Sequence, residues 1–263
     1  MNDKKEKLRV FSELLDIMDE LRAKCPWDKI QTFESLRILT IEETYELADA
    51  IIDGDLERIK KELGDLMLHI VFYAKLGEEE NAFDVADVLK AINKKLIYRH
   101  PHIFSDVNVK DSKEVEENWE QLKLKEKDGN KSVLDGVPES LPALVKANRI
   151  QSKVRGVGFD WDEREQIWDK VEEELAELKT EVLNNSAKEK IEQEFGDLLF
   201  SMINAARLYD IDPENALERT NKKFIKRFNY LEEKTLKQGR DLKKMNLDEM
   251  NEIWEEAKQF DKK

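Results

Sequence analysis

Four carboxylates in the second half of the chain are spaced to act as one group: Glu174 with Glu177, and Glu194 with Asp197. Side chains three apart on a helix lie one turn apart on the same face, so each pair projects together. A short turn between the two helices makes them antiparallel neighbours, and all four acids can then converge. Oxygen ligands of this kind suit Mg²⁺, with Mn²⁺ as a substitute. Glu43, Glu46, Glu62 and Asp65 repeat the arrangement in the first half. Context carries the signal, because a chain with 59 Asp and Glu in 263 residues contains many solvated Glu-x-x-Glu pairs.

The helices that carry the second acid of each set are apolar. Leu66-Met67-Leu68-His69-Ile70-Val71-Phe72 follows Asp65, and Leu198-Leu199-Phe200-Ser201-Met202-Ile203 follows Asp197. A helix apolar all round is expected to be buried, which sets the acids at the mouth of a core element where unpaired charge is costly. Gly64 and Gly196 sit just before the aspartates, and a mid-helix Gly costs about 1 kcal/mol against Ala. Their recurrence predicts close approach of a helix or ligand. The competing reading is a set of interhelical ion pairs with Lys60, Lys61, Lys188 or Lys190. A carboxylate-bridged di-iron centre wants Glu-x-x-His on two helices, and none of the three His follows a Glu at that spacing. His69 reads as a core histidine or one that supports the ligands.

Downstream of each acidic set lies a basic block: Lys94, Lys95, Arg99 and His100 in the first half, Lys222, Lys223, Lys226 and Arg227 in the second. Lys170 and Lys190 stand four residues before Glu174 and Glu194 and flank the carboxylates. Beside a metal-type cluster, such cations predict a phosphate site. Trp119 and Trp254 recur after the blocks, each suited to stack on a base or to fill a core.

These elements form a tandem repeat. Trp27-Asp28 matches Trp161-Asp162, and Glu42-Glu43-Thr44-Tyr45-Glu46 matches Glu173-Glu174-Leu175-Ala176-Glu177. Glu62-Leu63-Gly64-Asp65-Leu66 matches Glu194-Phe195-Gly196-Asp197-Leu198, and Asn93–Arg99 matches Asn221–Arg227, all in the same order. Few Gly and Pro, many Glu, Lys and Leu, and apolar spacings of three and four predict an all-α chain. Gly54 and Asp55 predict a C-cap and an N-cap. Capping boxes are expected at Ser186/Glu189, Asp111/Glu114 and Asn246/Glu249. Turn residues from Asp128 through Pro142 place the linker at 128–145, between an N-terminal helical domain at 1–127 and a C-terminal one at 146–263.

A net charge of −14 argues against nucleic acid as a partner. No run reaches the length of a membrane span, and the first helix is amphipathic rather than a signal core. The single cysteine, Cys25, fits a reducing cytoplasm.

The residues also resemble a known family. Cys25-Pro26-Trp27-Asp28 with Gln31-Thr32, Glu42-Glu43-x-x-Glu46, Glu62-x-x-Asp65 and Arg99-His100-Pro101-His102-x-Phe104 are similar to the first half of MazG, the tandem nucleoside triphosphate pyrophosphohydrolases of bacteria. Gly158-Phe159-Asp160-Trp161, Glu173-Glu174-x-x-Glu177, Glu194-x-Gly196-Asp197 and Lys223-Phe224-x-x-Arg227 resemble the second. The resemblance implies an all-α tandem repeat of helical bundles, an intertwined homodimer, and Mg²⁺-dependent hydrolysis of nucleoside triphosphates to monophosphate and pyrophosphate. It places the metal on Glu174, Glu177, Glu194 and Asp197, the nucleotide on Lys223, Lys226, Arg227 and Trp254, and activity in the second half. Glu173 or Glu174 is expected to orient the attacking water. A non-catalytic nucleotide sensor of the same fold is the alternative.

Overall fold

In a computed structural model of the chain, residues 2–111, 114–115, 118–119, 122 and 132–262 are described. They form helices and turns, with no strand among them. The chain divides into two compact units, Met1–Val109 and Lys110–Lys263. The linker expected at 128–145 is described only from residue 132 onward. Residues 128–131 lie outside the described residues, and Val133 belongs to the second unit, where its carbonyl accepts from Lys153 Nζ.

The first unit contains α1 (Lys4–Lys24), α2 (Phe33–Asp53), α3 (Leu56–Glu79), α4 (Val85–Arg99) and a single turn, α5 (Pro101–Phe104). Short polar side chains start these helices. Asp3 Oδ1 accepts from Glu6 N–H, Thr32 and Ser35 form a reciprocal box, and Asp84 with Asp87 does the same. The turn between α2 and α3 uses both expected residues. Gly54 adopts φ 69°, the left-handed region open to glycine, and Asp55 accepts from the amides of Glu57 and Arg58. The two helices therefore pack back along one another. Met18, Leu36, Val71, Phe72 and Leu76 form the core that joins α1, α2 and α3.

The second unit contains α6 (Ala143–Arg155), α7 (Ile167–Leu183), α8 (Lys188–Leu208), α9 (Pro213–Lys237) and α10 (Leu247–Lys258). Here α7 and α8 pair as α2 and α3 do, around Ile167, Val171 and Ala205. A second cluster, Leu231, Met245 and Ile253, joins α9 to α10. Asn246 and Glu249 make the expected capping box, and Glu114 N–H donates to Asp111 Oδ1. Ser186 does not cap α8. Asn185 takes φ 49°, Ser186 N–H closes the turn on the Glu181 carbonyl, and the helix starts at Lys188 after Ala187. Ser186 is taken up in closing the preceding helix, and the N-cap position falls one residue later, on Ala187.

Two other expectations change. The helices α3 and α8 are not buried all round within their own units. Leu63, Met67 and Ile70 are exposed, as are Phe195, Leu199 and Met202. These triplets occupy matching positions in the two repeats and share one helix face, with spacings of four and three. Nor do Gly64 and Gly196 mark a close approach within the chain, because a Cβ at either would meet nothing within 4 Å.

Candidate active site

The α7–α8 pairing carries Glu174, in the middle of one helix, against Glu194 and Asp197, in the first half of the other. Oxygens of these three carboxylates all lie within 4.8 Å of one another. Glu174 is buried, Glu194 half-buried and Asp197 exposed, so the cluster opens from the helix interface toward its surface. Glu177 is exposed and stands outside the group of three, yet its charge reaches Glu194. Burial, followed by Glu177, Asp197 and Glu174, holds the Glu194 carboxyl above its ordinary range. The first repeat assembles Glu43, Glu62 and Asp65 in the same way and leaves Glu46 outside. Burial and then Asp65, Glu46 and Glu62 likewise push Glu43 up.

Each cluster has a lysine from one of its own helices rather than the expected interhelical pairs. Lys170 Nζ lies 2.7 Å from Glu174 and 3.0 Å from Glu173. In the first repeat, Lys61 Nζ lies 3.3 Å from Glu62 and 3.7 Å from Asp65. One ammonium facing three converging carboxylates leaves negative charge unbalanced. Glu62 shows the consequence most clearly. It is 3% exposed, and its Oε2 has no hydrogen-bond partner. A divalent ion fits both donor sets. Opposite oxygens of an octahedral Mg²⁺ site stand about 4.2 Å apart, so a small movement of the carboxylates closes the 4.8 Å cluster on an ion.

Beside the second cluster lies a cleft of about 570 Å³. Glu174, Asp197 and Lys170 line it together with the apolar side chains of Ile150, Val154, Phe159, Trp161 and Phe200. The loop bearing Phe159 and Trp161 is fastened by Asp160, which accepts at 3.0 Å from Nη1 of the buried Arg207 and also bonds its Nη2. Arg207 Nε and Nη2 donate to Asn204 Oδ1 at 2.9 and 2.7 Å.

The other expected nucleotide-binding residues stand apart from this cleft. Lys190 is exposed, and among the described residues it makes no ion pair with the carboxylates. Lys223, Lys226, Arg227 and Trp254 do not line the cleft. Trp254 is taken up in packing: the Phe224 ring lies 4.9 Å from it, centroid to centroid, and the Arg227 guanidinium 5.6 Å over its face. Lys226 Nζ donates to the Phe260 carbonyl.

Sequence reasoning did not single out Gln151, Asn204 or Arg207, which line the cleft. Their signal was available in the repeat itself. Carried along the 132-residue offset of Glu62 and Glu194, Asn204 and Arg207 stand where the first repeat has Phe72 and Lys75. Phe72 is buried in the first core beside Met18 and Leu36. One repeat fills with an aromatic ring the place where the other keeps a polar side chain beside a cleft.

The fold and site define an all-α protein of two repeats, each presenting converging carboxylates from a pair of packed helices. The model of the MazG nucleotide pyrophosphohydrolase domain matches residues 31–104 and again residues 163–231. The chain is 43% identical to the nucleoside triphosphate pyrophosphohydrolase/pyrophosphatase MazG of Thermotoga maritima, over 95% of this chain and 96% of the relative. It is 42% identical to the nucleoside triphosphate pyrophosphohydrolase of Escherichia coli K12, over 94% and 97%. An uncharacterized Bacillus subtilis protein, YabN, is 45% identical over 99% of this chain and 54% of its own length. The chain belongs to the MazG nucleotide pyrophosphohydrolase family.

Proposed function

We propose that the second repeat hydrolyses nucleoside triphosphates to the monophosphate and pyrophosphate, with Mg²⁺ held by Glu174, Glu194 and Asp197 and supported by Glu177. Mn²⁺ serves in its place. The observation that carries this reading is the convergence of Glu174, Glu194 and Asp197 beside a cleft that Glu174 and Asp197 help to line. A divalent ion bound there supplies charge withdrawal from the phosphate oxygens and eases deprotonation of the attacking water.

The chain's own groups do the rest. Glu173 or Glu174 orients the water, and the Lys170 ammonium lies next to both. Cations complement the charge that builds on departing pyrophosphate, a role for Lys190, Lys223, Lys226 and Arg227. The cleft shelters the nucleoside. The first repeat keeps a cation site at Glu43, Glu62 and Asp65, flanked by Glu46, with Phe72 occupying the space matching part of the second cleft.

A homodimer completes this reading. The matching triplets on α3 and α8 are large apolar side chains uncovered within their units, and a second copy is the occupant that the tandem arrangement favours. It also accounts for basic residues on α9 that stand apart from the cleft of their own chain.

The test is product analysis with the four ribonucleoside triphosphates. Monophosphate and pyrophosphate should appear in equal amounts with Mg²⁺ or Mn²⁺ and disappear with EDTA. Binding without turnover would establish the sensor reading instead, and diphosphate with orthophosphate would contradict the assigned reaction.

A further inference from the structure

Gln151 is 4% exposed, on α6, and lines the cleft. Its Nε2 donates to the backbone carbonyl of Phe200 at 2.8 Å. That contact fixes the amide orientation, because a carbonyl can only accept and the NH₂ end must face it. The remaining atom, Oε1, is an acceptor shut away from water, and nothing donates to it. A buried acceptor without a donor is costly, and buried polar groups are ordinarily satisfied. Here the unsatisfied atom belongs to a side chain that lines the same cleft as Glu174 and Asp197.

Asn204 completes a pair. Its Oδ1 takes two hydrogen bonds from the Arg207 guanidinium, which only donates, so its NH₂ is the end it offers to the cleft. Arg207 is itself held by Asp160, which keeps the amide from turning over. The residues lining the cleft thus include an amide with an unused acceptor, an amide whose NH₂ is turned away from Arg207, and the apolar side chains of Phe159 and Trp161. A nucleobase has the complementary form: flat apolar faces, and an edge on which an N–H or amino donor stands beside a ring nitrogen or carbonyl acceptor.

We infer that Gln151 is a specificity-determining residue, accepting a hydrogen bond from the N–H or amino group on the pairing edge of the nucleobase while Asn204 donates beside it. The inference rests on the hydrolase reading above and adds to it how the base is read. The first repeat lacks the pair. Ile17 stands at the position of Gln151 on the 134-residue offset of Trp27 and Trp161, and Phe72 at that of Asn204.

The experiment compares kcat/KM for the four ribonucleoside triphosphates with that for the triphosphates of purine riboside and pyrimidin-2-one riboside, whose bases carry no donor on that edge. The wild-type chain should favour its preferred nucleotide over the donor-less analogue of the same ring size by about tenfold, the worth of one neutral hydrogen bond. Gln151→Met should bring the preferred nucleotide down to the level of the analogue and leave the analogue within about twofold. A wild-type chain that treats both alike overturns the inference without using any variant. A variant that lowers both equally assigns Gln151 only the task of tying α6 to α8 and overturns it too. Failure of the hydrolase reading is distinct, because no nucleotide would then release pyrophosphate from the wild-type chain.

Discussion

The ammonium of Lys170 lies 2.7 Å from Oε1 of Glu174, one helical turn away. In the metal-free protein this is the contact that compensates a buried carboxylate facing two other acids. Glu174 and then Glu173 raise the Lys170 ammonium well above its ordinary range, so it stays charged at any working pH.

Lys170→Met should therefore lower the Tm of the metal-free protein and enlarge the rise in Tm produced by Mg²⁺, because the ion then meets a cluster with no cation of its own. Thermal melts with EDTA and with Mg²⁺ check this. An unchanged Mg²⁺ response would mean that the ion does not bind beside Glu174.

Glu194 gives a pH dependence of definite sign. Burial and its acidic neighbours raise its carboxyl above the ordinary 4.5, so the native state holds the proton more tightly than the unfolded chain. Its contribution to stability is fully present below the unfolded value and is lost as pH rises through the folded one. The gain in metal-free Tm from Glu194→Gln should accordingly be small near about pH 4 and grow toward about pH 7. Mg²⁺ should abolish the gain. A benefit independent of pH would remove the electrostatic cause.

Asp160 behaves in the opposite way. Burial alone would raise its carboxyl, but Arg207, the Trp161 amide and Arg155 outweigh that and hold it below the usual range. Asp160→Ala leaves the Arg207 guanidinium, 8% exposed, without its carboxylate. The expected loss is about 3 kcal/mol at neutral pH in urea denaturation, since removing one partner strands a buried charge. The loss should shrink as pH falls through the low folded value of Asp160.

Gly77 is a position where a methyl group has no room. A Cβ there would lie 2.6 Å from the Phe83 ring and 2.8 Å from the Phe83 backbone oxygen. Gly77→Ala should cost about 2 kcal/mol despite its better helix propensity, measurable by denaturant midpoint. Gly64→Ala and Gly196→Ala meet no such obstacle within the chain.

The parts of this molecule that were legible in the sequence are those set by local rules. Helical spacing located the acid pairs, glycine at φ 69° and Asp55 made the α2–α3 turn, and duplication tied the two clusters together. Glu46 and Glu177 fell outside the groups of three because shared helical face does not fix how deep a side chain sits against its partner helix. Ser186 misled because its N–H closes the turn after α7 and α8 starts only at Lys188. The exposed faces at Met67 and Leu199 show that an apolar pattern announces burial without saying what does the covering. The cleft was hidden for a different reason. It depends on Asn204 standing where Phe72 fills the first core, a comparison between aligned positions that no single helix displays.

Pyrophosphate release by two double variants tests the assignment of the reaction to the second carboxylate cluster. Glu194→Gln with Asp197→Asn should lower the rate by more than about 100-fold, since ligands matter at least as much as the groups that orient them. Glu62→Gln with Asp65→Asn, the matching change in the first repeat, should leave a folded and active enzyme. Parental activity in the first variant, or its loss only in the second, would contradict the account.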